Sequence, residues 1–508
     1  EAVSKSDCAW CRKPNEAAGS RFYLAPWSAG RRCPVPETRK MEETLKSALK
    51  EIVGLDHFSD QLIDLVSYSY DASDHHHRPE AAVWPVHVDQ VSRIMRLAHE
   101  NRLPIIPRGA GTGLAGGAVP VRGGLVLDLC RMNKIVAIRI ADRSVVVQPG
   151  VVYADLENAL APYGFFFPPD PASGKACTLG GNVATNAGGI RGAKYGVTRD
   201  YVMGLEVVLA DGQRMRTGTA CMKSSSGYDL TRLFVGSEGT LGVITEILLK
   251  ISPKPLAHKT SLGLFSSLRD AGQAVSDIMH SGIIPSVLEI MDANSIRVLR
   301  EIASFPLPDA AAVILSETDG YTREETEFQM ARILEVFRNN HVTEIQEAAT
   351  PADAEKLWKL RKSVGSAAAK LRTNNISEDV AIPISRLPDL LSGISAIVEK
   401  HGLPFVIFGH AGDGNIHPRI MYDRADPDQR RRVREVAEEI FKLSCSMGGT
   451  LTGEHGVGIA KAPFMPLEHD RAAMAMMRSL KKLIDPRHIL NPGKMGLDDD
   501  GTEPGAKS

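Results

Sequence analysis

The glycine-rich segment of residues 108–124 (RGAGTGLAGGAVPVRGG) restricts the fold more than any other part of the chain. It contains Gly111-Thr-Gly113-Leu-Ala-Gly116, which matches in form the glycine fingerprint of dinucleotide-binding folds. That fingerprint must open a helix, whereas the later glycines and Pro120 disfavour one. Apolar segments on both sides predict strands, at residues 104–107 and 125–129. We therefore expect a β–loop–β unit whose bare N–H groups and Arg108 bind an anion, the alternative being a merely flexible loop.

A second region is also dense in glycine. It comprises residues 178–182, 186–189 and 194–196, and a further tight turn is predicted at residues 233–239. Small residues at this density let the backbone approach a flat ligand closely, although tight turns of a β-rich domain would give the same pattern. Apolar periodicity around this region predicts an α-helix at residues 153–163 and strands at residues 144–148, 205–209 and 242–251.

A histidine-bearing stretch lies between residues 406 and 458. Residues 406–408 predict a strand, and Gly412-Asp-Gly-Asn415 is turn chemistry, so His410 and His417 would lie at the two ends of a hairpin. Glu454 and His455 follow in a glycine-rich loop. Two histidines and a carboxylate are an ordinary ligand set for a divalent transition metal, and a further histidine can act as a base. The alternative is that these are turn residues and hydrogen-bonded core histidines.

Composition excludes several classes of protein. The chain of 508 residues is too long for one core, so two or more domains are expected. A formal net charge of -1 gives no electrostatic basis for a nucleic-acid partner, and no apolar run approaches the length of a membrane span. Seven scattered cysteines argue against a disulfide framework and favour a reducing compartment.

Residues 1–40 differ from the rest, because they lack periodicity and carry scattered Trp, Pro and Cys. We expect a disordered or non-native leader, with a natural start close to Met41. Cys8-x-x-Cys11 has no second pair at zinc-binding spacing and is interpreted as incidental. The tract His75-His-His77 precedes a proline in a polar segment and predicts a solvated loop.

Seven short motifs occur in the order that one superfamily shows. Together they resemble the FAD domain of the vanillyl-alcohol oxidase/p-cresol methylhydroxylase superfamily. Within it, the histidine stretch and Asn491-Pro-Gly-Lys494 resemble the FAD-linked D-2-hydroxyacid dehydrogenases, such as the glycolate oxidase FAD subunit and D-lactate dehydrogenase. The motifs are residues 108–117, 149–150, 170–171, 180–182, 186–189, 194–196 and 236–239.

The resemblance implies an α+β architecture. A p-cresol methylhydroxylase-type FAD-binding domain at residues 41–255 would consist of two subdomains, near 41–135 and 136–255. An α+β cap with an antiparallel sheet would follow at residues 256–450. A C-terminal helical segment, residues 451–495, would return to the flavin, and residues 496–508 would form a disordered tail.

The resemblance also implies a cofactor site. Because residues 108–117 contain no histidine, the FAD is expected to be bound noncovalently. The expected FAD-binding residues are Arg108, Gly109, Gly111, Thr112, Gly113, Pro149, Gly150, Asp170, Thr178, Gly181, Asn186, Gly188, Gly189, Tyr195, Gly196, Ile244 and Asn491.

The catalytic residues follow from the same resemblance. His410, His417 and Glu454 would hold Zn or Mn, and His455 would be the general base. Arg361 would clamp the substrate carboxylate, the alternative being a solvated helix charge. The substrate, D-lactate or glycolate, would chelate the metal and pass its C2 hydride to flavin N5, giving the 2-oxoacid. Residues 289–292 are interpreted as structural.

Three alternatives stay open. A D-2-hydroxyglutarate dehydrogenase is disfavoured because residues 374–378 (NNISE) lack the Lys and Tyr of such relatives. A metal hydrolase is disfavoured because no HExxH helix occurs. A noncatalytic FAD-binding subunit should lack the metal and base cluster.

The same resemblance implies an electron acceptor other than a nicotinamide: an iron–sulfur subunit, electron-transfer flavoprotein, a cytochrome or a quinone. No cysteine run in the chain could hold a cluster of its own. We expect a cytoplasmic protein that a partner could hold at the inner membrane, and a homodimer is one possible assembly.

Overall fold

The computed structural model describes residues 41–498 apart from 302, 304–306, 308 and 373. The predicted leader with Cys8 and Cys11, and residues 499–508, lie outside the described residues. Within the described part, the chain is α+β and carries separate sheets in its N-terminal and central regions, as predicted. No described helix is both long enough and apolar enough to cross a membrane.

The first sheet has the strand order β1-β2-β4-β3, and β4 pairs in parallel with both β2 and β3. One face is covered by an amphipathic helix that buries Val91, Ile94, Met95 and Ala98, as its 3.6-residue periodicity predicts. Residues 109–124 join β3 to β4 without a helix, which confirms the predicted β–loop–β unit. The elements are α1 (Glu43–Val53), β1 (Phe58–Ser59), α2 (Leu62–Ser67), β2 (Ala81–Val83), α3 (Val88–Asn101), β3 (Ile105–Arg108) and β4 (Leu125–Asp128).

The second sheet is antiparallel with the order β5-β6-β10-β8-β9, and a small pair, β7 and β11, lies apart from it. Its apolar residues form a core with α4 and α5. The elements are β5 (Ile135–Arg139), β6 (Ser144–Val147), α4 (Tyr153–Leu160), β7 (Phe165–Phe166), α5 (Leu179–Thr185), α6 (Gly192–Tyr195), β8 (Val202–Val208), β9 (Arg214–Gly218), α7 (Leu230–Phe234), β10 (Val243–Lys250) and β11 (Ser252–Pro253).

The alternative that residues 178–182 form tight turns was wrong, because this segment opens helix α5. Thr178 is the N-cap, and its hydroxyl accepts a hydrogen bond from the N–H of Gly181 at 3.3 Å. Leu179 and Val183 are buried against the second sheet. The cap and this burial offset the low helix propensity of the two glycines. The tight turn predicted at residues 233–239 is present from residue 235 onward, directly after helix α7.

The central region contains an antiparallel sheet with the order β15-β12-β14-β13-β18-β19-β16, and β17 also pairs with β19. The elements up to β15 are β12 (Ala257–Phe265), α8 (Leu268–His280), β13 (Val287–Asp292), α9 (Ala293–Arg300), β14 (Ala312–Gly320), α10 (Arg323–Asn339) and β15 (Val342–Glu347). Those that follow are α11 (Pro351–Ala368), β16 (Asn374–Ser377), β17 (Val380–Ala381), α12 (Leu387–Lys400), β18 (Phe405–His410), β19 (Asn415–Tyr422) and α13 (Pro427–Ser446).

The two faces of this sheet have different coverings. Ile407, Ile416 and Ile420 pack in the core that contains α12 and α13. Phe408 and Met421 pack instead with α11. Because side chains alternate along a strand, His417 and Arg419 of β19 lie on the α11 face.

The C-terminal region returns to the first sheet. After α14 (Met465–Glu468) and α15 (Arg471–Ile484), Leu490 forms a parallel bridge with Ile105. The prediction of disorder is wrong for residues 496–498, because Leu497 is buried and Asp498 accepts a hydrogen bond from the N–H of Gly493. The tract His75-His-His77 lies in a loop, as predicted, but only His76 is exposed and His75 and His77 are half-buried.

Candidate active site

A cleft lies where the two glycine-rich regions meet the C-terminal loop that carries Glu454 and His455. Its walls come from the loop after β3, from the start of α5 and from the turn before β10. The predicted cofactor residues that line it are Arg108, Gly109, Gly111, Thr112, Gly113, Pro149, Thr178, Gly181 and Ile244.

The remaining predicted cofactor residues do not line this cleft, and several of them fix its walls. A Cβ at Gly150 would lie 2.5 Å from the carbonyl oxygen of Leu129, and one at Gly189 would overlap the carbonyl of Asp170. A Cβ at Gly196 would overlap the carboxylate of Asp200. These glycines therefore permit close approach of backbone to backbone or side chain.

The other members of that group make polar contacts around the cleft. The amide of Asn491 donates to the carbonyl oxygens of Gly117 and Glu238, at 2.9 and 2.7 Å. The hydroxyl of Tyr195 donates to Asp319 of the central region at 2.7 Å, and Asn186 accepts from the N–H of Arg199 at 2.9 Å. The carboxylate of Asp170 lies 3.7 Å from the guanidinium of Arg191. Gly188 makes a steric contact instead, because a Cβ there would lie 2.8 Å from Glu454 Oε2.

Arg108 lines the cleft, but its guanidinium is engaged by its own loop. Nη1 donates to the carbonyl oxygens of Tyr70 and Ala118, at 2.9 and 3.4 Å. A Cβ at Gly111 would overlap Nη2 of the same guanidinium. Arg108 therefore holds the shape of the glycine-rich loop, and the expected anion would be met by the loop's N–H groups.

The β18–β19 hairpin brings His410 and His417 together as its turn chemistry predicts. In the register, His410 lies opposite Asn415 and Phe408 opposite His417, and the two imidazole centroids are 5.0 Å apart. Glu454 Oε1 lies 3.4 Å from His410 Nε2 and 3.5 Å from His417 Nε2. One ligand atom from each of the three residues lies within 4.8 Å of the others, so one cation could contact all three.

Buried carboxylates stand behind both imidazoles. Glu289 Oε1 is 2.6 Å from His410 Nδ1, and Asp379 Oδ1 is 3.6 Å from His417 Nδ1. Neither His417 Nδ1 nor Asp379 Oδ1 has a hydrogen-bond partner within the described part of the chain. Metal-binding histidines usually present one nitrogen to the ion and the other to a carboxylate. His410 makes this hydrogen bond to Glu289, and at His417 the Asp379 carboxylate is adjacent without a hydrogen bond.

The protonation states suit a cation at Glu454 and His417, whereas His410 would release a proton when a cation binds. Although burial opposes it, the nearby His410 lowers the pKa of Glu454 to about 2. Burial, with the charge of His410 as a second cause, lowers the pKa of His417 to about 3. The pKa of His410 is raised, because Glu289 and Glu454 outweigh the effect of its burial. An ionised carboxylate beside a neutral imidazole is an electron-donating set, which fits a divalent transition metal.

His455 lies between this cluster and the cleft. Its ring stacks on that of His417, with centroids 5.2 Å apart and planes at 13°, and it lines the cleft together with Glu454. The main-chain N–H of His455 donates to Asp379 Oδ2 at 2.8 Å, and the ring Nδ1 lies 3.9 Å from the same oxygen. Burial lowers the pKa of His455, so a neutral imidazole is available whose Nε2 is on the side away from Asp379.

The regions that form the cleft match two families of FAD-binding proteins. Residues 79–218 match the family described as "FAD binding domain", and residues 254–495 match "FAD linked oxidases, C-terminal domain". The chain belongs to the FAD-linked oxidases. It is therefore an FAD-dependent oxidoreductase.

Several curated relatives of this FAD-linked oxidase match along most of their length. "Glycolate oxidase subunit GlcD" of Bacillus subtilis (strain 168) is 44% identical over 89% of this chain and 96% of its own. The protein of that name from Escherichia coli (strain K12) is 37% identical, over 85% and 86%. "D-lactate dehydrogenase [cytochrome], mitochondrial" of Arabidopsis thaliana is 34% identical, over 82% and 73%.

Solved structures share the fold of the FAD-linked oxidase. p-Cresol methylhydroxylase with substrate bound aligns with a TM-score of 0.76 at 20% identity, over 90% of this chain and 97% of that one. Alkyldihydroxyacetonephosphate synthase aligns with a TM-score of 0.71 at 21% identity, over 89% and 86%. These matches confirm the predicted p-cresol methylhydroxylase-type fold.

Sequence reasoning missed Glu289 and Asp379 as parts of the site. Residues 289–292 were interpreted as structural, yet Glu289 lies opposite His410 in the pairing of β13 with β18. Asp379 accepts hydrogen bonds from the N–H groups of Glu454 and His455 and from the Thr452 hydroxyl. A charged residue inside the apolar run of β13, VLEIMD, was the available signal for Glu289.

Arg361 is buried in α11, so the alternative of a solvated helix charge was wrong. Its Nε donates to Glu289 Oε2 at 2.6 Å, and its guanidinium lies 4.9 Å from the ring centroid of Phe408. Through Glu289 it is linked to His410. Its role as a carboxylate clamp stays a prediction.

Glu238 fixes the loop that carries His455. Its carboxylate accepts hydrogen bonds from the N–H groups of Val457 and Gly458, at 2.6 and 2.8 Å. On the other side of this loop, the N–H of Ile459 donates to the carbonyl of Ala115 at 2.8 Å. The base-carrying loop is therefore attached directly to the glycine-rich loop of the FAD-binding region.

Substituting Gly458 by alanine tests this attachment. Gly458 has φ +49°, and a Cβ would overlap the carbonyl of Ala115, so the loop must move. Gly448 has φ +82° but nothing within 4 Å of its Cβ, which makes Gly448→Ala the matched control. We expect Gly448→Ala to lower the free energy of unfolding by about 1 kcal/mol and Gly458→Ala by about 3 kcal/mol, measured by denaturant unfolding. Equal losses in the two variants would contradict the proposed steric contact.

Proposed function

We propose that this FAD-linked oxidase converts a D-2-hydroxyacid into the corresponding 2-oxoacid. The observation that carries the proposal is that His455 and Glu454 line the glycine-walled cleft, while Glu454 belongs to the histidine–carboxylate cluster and the His455 ring stacks on His417. A proton acceptor and a cation site are thereby adjacent to the space for a redox cofactor. Names of relatives that contain "glycolate oxidase" and "D-lactate dehydrogenase" support glycolate and D-lactate as the smallest substrates.

The cleft is the proposed site of FAD. The loop N–H groups near Gly109 and Gly111 would face its phosphates, and Thr178 and Gly181 would border it at the start of α5. No histidine lies among residues 108–117, which supports noncovalent binding. When bound, FAD accepts two electrons, which no side chain of the protein can do.

His410, His417 and Glu454 are the proposed ligands of a divalent metal, Zn or Mn. The distances between their ligand atoms and the carboxylates behind the two imidazoles support this assignment. A metal bound there supplies Lewis acidity, which lowers the pKa of a coordinated hydroxyl.

His455 is the proposed base. Its neutral imidazole takes the proton of the substrate hydroxyl, with Nε2 as the accepting atom, while Asp379 holds the loop through its N–H groups. The O–H and C2–H bonds break and a C=O bond forms. The proton goes to His455, and FAD held in the cleft would supply the acceptor for the hydride of the C2–H bond.

The electron acceptor is proposed to be a partner protein or a quinone. Two relatives are named as subunits of glycolate oxidase, and another carries "cytochrome" in its name, which supports transfer to a second protein. The described cysteines are scattered and free, so no iron–sulfur cluster is proposed within the described chain.

Anaerobic flavin bleaching tests the function directly. We expect the absorbance of bound flavin to fall on addition of D-lactate or glycolate, but not of L-lactate. Dialysis against a chelator should slow bleaching at least 100-fold while the flavin stays bound, and Zn or Mn should restore the rate. A flavoprotein that no 2-hydroxyacid of the panel bleaches would contradict the proposed function. Bleaching that chelation leaves unchanged would contradict the metal.

A further inference from the structure

Arg419 of β19 is a half-buried cation without an acidic partner. No described carboxylate lies within 4 Å of its guanidinium, whereas Arg361 nearby is paired with Glu289. Nη1 of Arg419 donates to the carbonyl oxygen of Gly365 at 2.7 Å. Its Nε is buried and has no hydrogen-bond partner in the described part of the protein. A buried charge is usually paired, so this guanidinium is suited to an anion that binds from outside the chain.

The position of Arg419 connects it to the active site. It lies 5.8 Å from the ring centroid of Phe408, and that ring lies 5.8 Å from the imidazole of His417. Arg361 lies over the same ring at 4.9 Å. Arg419 is two residues from His417 on the same face of β19, a separation of about 7 Å along a strand. Arg419 therefore lies next to the histidine–carboxylate cluster on the face of the central sheet that α11 covers.

The chain makes specific room for this guanidinium. Gly365 lies inside helix α11, where glycine lowers helix stability by about 1 kcal/mol relative to alanine. A Cβ at Gly365 would lie 2.9 Å from Nη1 of Arg419. The glycine therefore admits the side chain, and its carbonyl orients it.

We propose that Arg419 binds a second anionic group of the substrate, so that the preferred substrates are D-2-hydroxyacids with a further carboxylate. This inference rests on the proposed function, because it assumes that the hydroxyl and the first carboxylate bind at the His410, His417 and Glu454 cluster. A four- or five-carbon dicarboxylate would extend from that cluster along β19 toward Arg419, which is about 7 Å from His417 along the strand. D-Lactate and glycolate fit the cluster but leave the guanidinium without a partner.

The segment 374–378 lacks the basic residues of relatives that act on 2-hydroxyglutarate. That segment includes β16, and β16 pairs with β19 so that Ser377 lies opposite Arg419. The positive charge missing from β16 is thus supplied by the adjacent strand. A guanidinium at this position can bind a carboxylate with two parallel hydrogen bonds.

The test compares kcat/KM for D-malate and D-2-hydroxyglutarate with that for D-lactate, using the FAD-loaded protein and an artificial electron acceptor. We expect the wild type to prefer at least one dicarboxylate. Arg419→Leu should reduce the dicarboxylate-to-lactate ratio about 30-fold, through loss of charge-assisted hydrogen bonds. Arg419→Lys should give an intermediate ratio, because it keeps the charge without the planar fork.

Arg332→Leu is the control, because Arg332 is exposed on α10 and pairs only with Glu335 among the described residues. Its ratio should equal that of the wild type. A wild type that prefers D-lactate to both dicarboxylates overturns the inference, and so does an Arg419→Leu variant that loses activity equally on all three substrates. If Arg419→Leu does not fold, the wild-type preference and the Arg419→Lys ratio still decide. Failure of every hydroxyacid to reduce the flavin would instead refute the proposed function.

Discussion

Replacing His455 by glutamine is expected to slow anaerobic flavin reduction by D-lactate about 10³-fold, which is within the range for loss of a general base. Glutamine is similar in size and keeps the main-chain hydrogen bond to Asp379, but it cannot accept a proton. Because His455 lies at the edge of the cleft and Gly458 anchors the loop, the flavin should remain bound. The measurement is stopped-flow reduction at saturating substrate.

The matched control for this variant is His280→Gln, an exposed histidine at the end of α8. It should reduce at the wild-type rate. A His455→Gln protein that keeps its flavin and its rate would exclude His455 as the base. In that case a scaffold function for the chain, with catalysis by a partner, would be favoured.

The parts of the site that sequence reasoning found are those encoded locally. The turn Gly412–Asn415 joins two apolar strands, so the separation of His410 and His417 follows from hairpin geometry alone. The same holds for the loop after β3, where clustered glycines and Pro120 exclude a helix. Ligand chemistry and the family resemblance both pointed to Glu454, which is more than thirty residues from His417 in the chain and which no local pattern places beside it.

The parts that were missed depend on contacts between distant segments. Glu289 meets His410 because β13 pairs with β18, strands separated by more than a hundred residues, and this register is set by tertiary packing. Asp379 reaches the loop of His455 in the same way. At Thr178, propensity argued against a helix because of two glycines, and burial of Leu179 and Val183 overrode it.

Removing His417 is expected to produce the second large effect, on metal content rather than on the flavin. His417→Ala deletes one of three ligands, and Glu454 and His410 alone hold a divalent ion weakly. We expect metal affinity to fall by at least about 100-fold and hydroxyacid oxidation to fall with it, whereas FAD content should be unchanged. Metal in the purified protein is measured by inductively coupled plasma mass spectrometry.

A graded response separates ligand loss from general damage to the sheet. Glu289→Gln keeps His410 but removes the carboxylate that orients its Nδ1, so metal affinity should fall about 10-fold to 100-fold. Glu317→Gln is the control. The Glu317 carboxylate belongs to the same sheet but accepts hydrogen bonds from Trp358 and Thr260, away from the cluster. Metal affinity should decrease in the order Glu317→Gln, Glu289→Gln, His417→Ala. If Glu289→Gln bound metal as tightly as the control, the carboxylate behind His410 would serve to neutralise Arg361 instead.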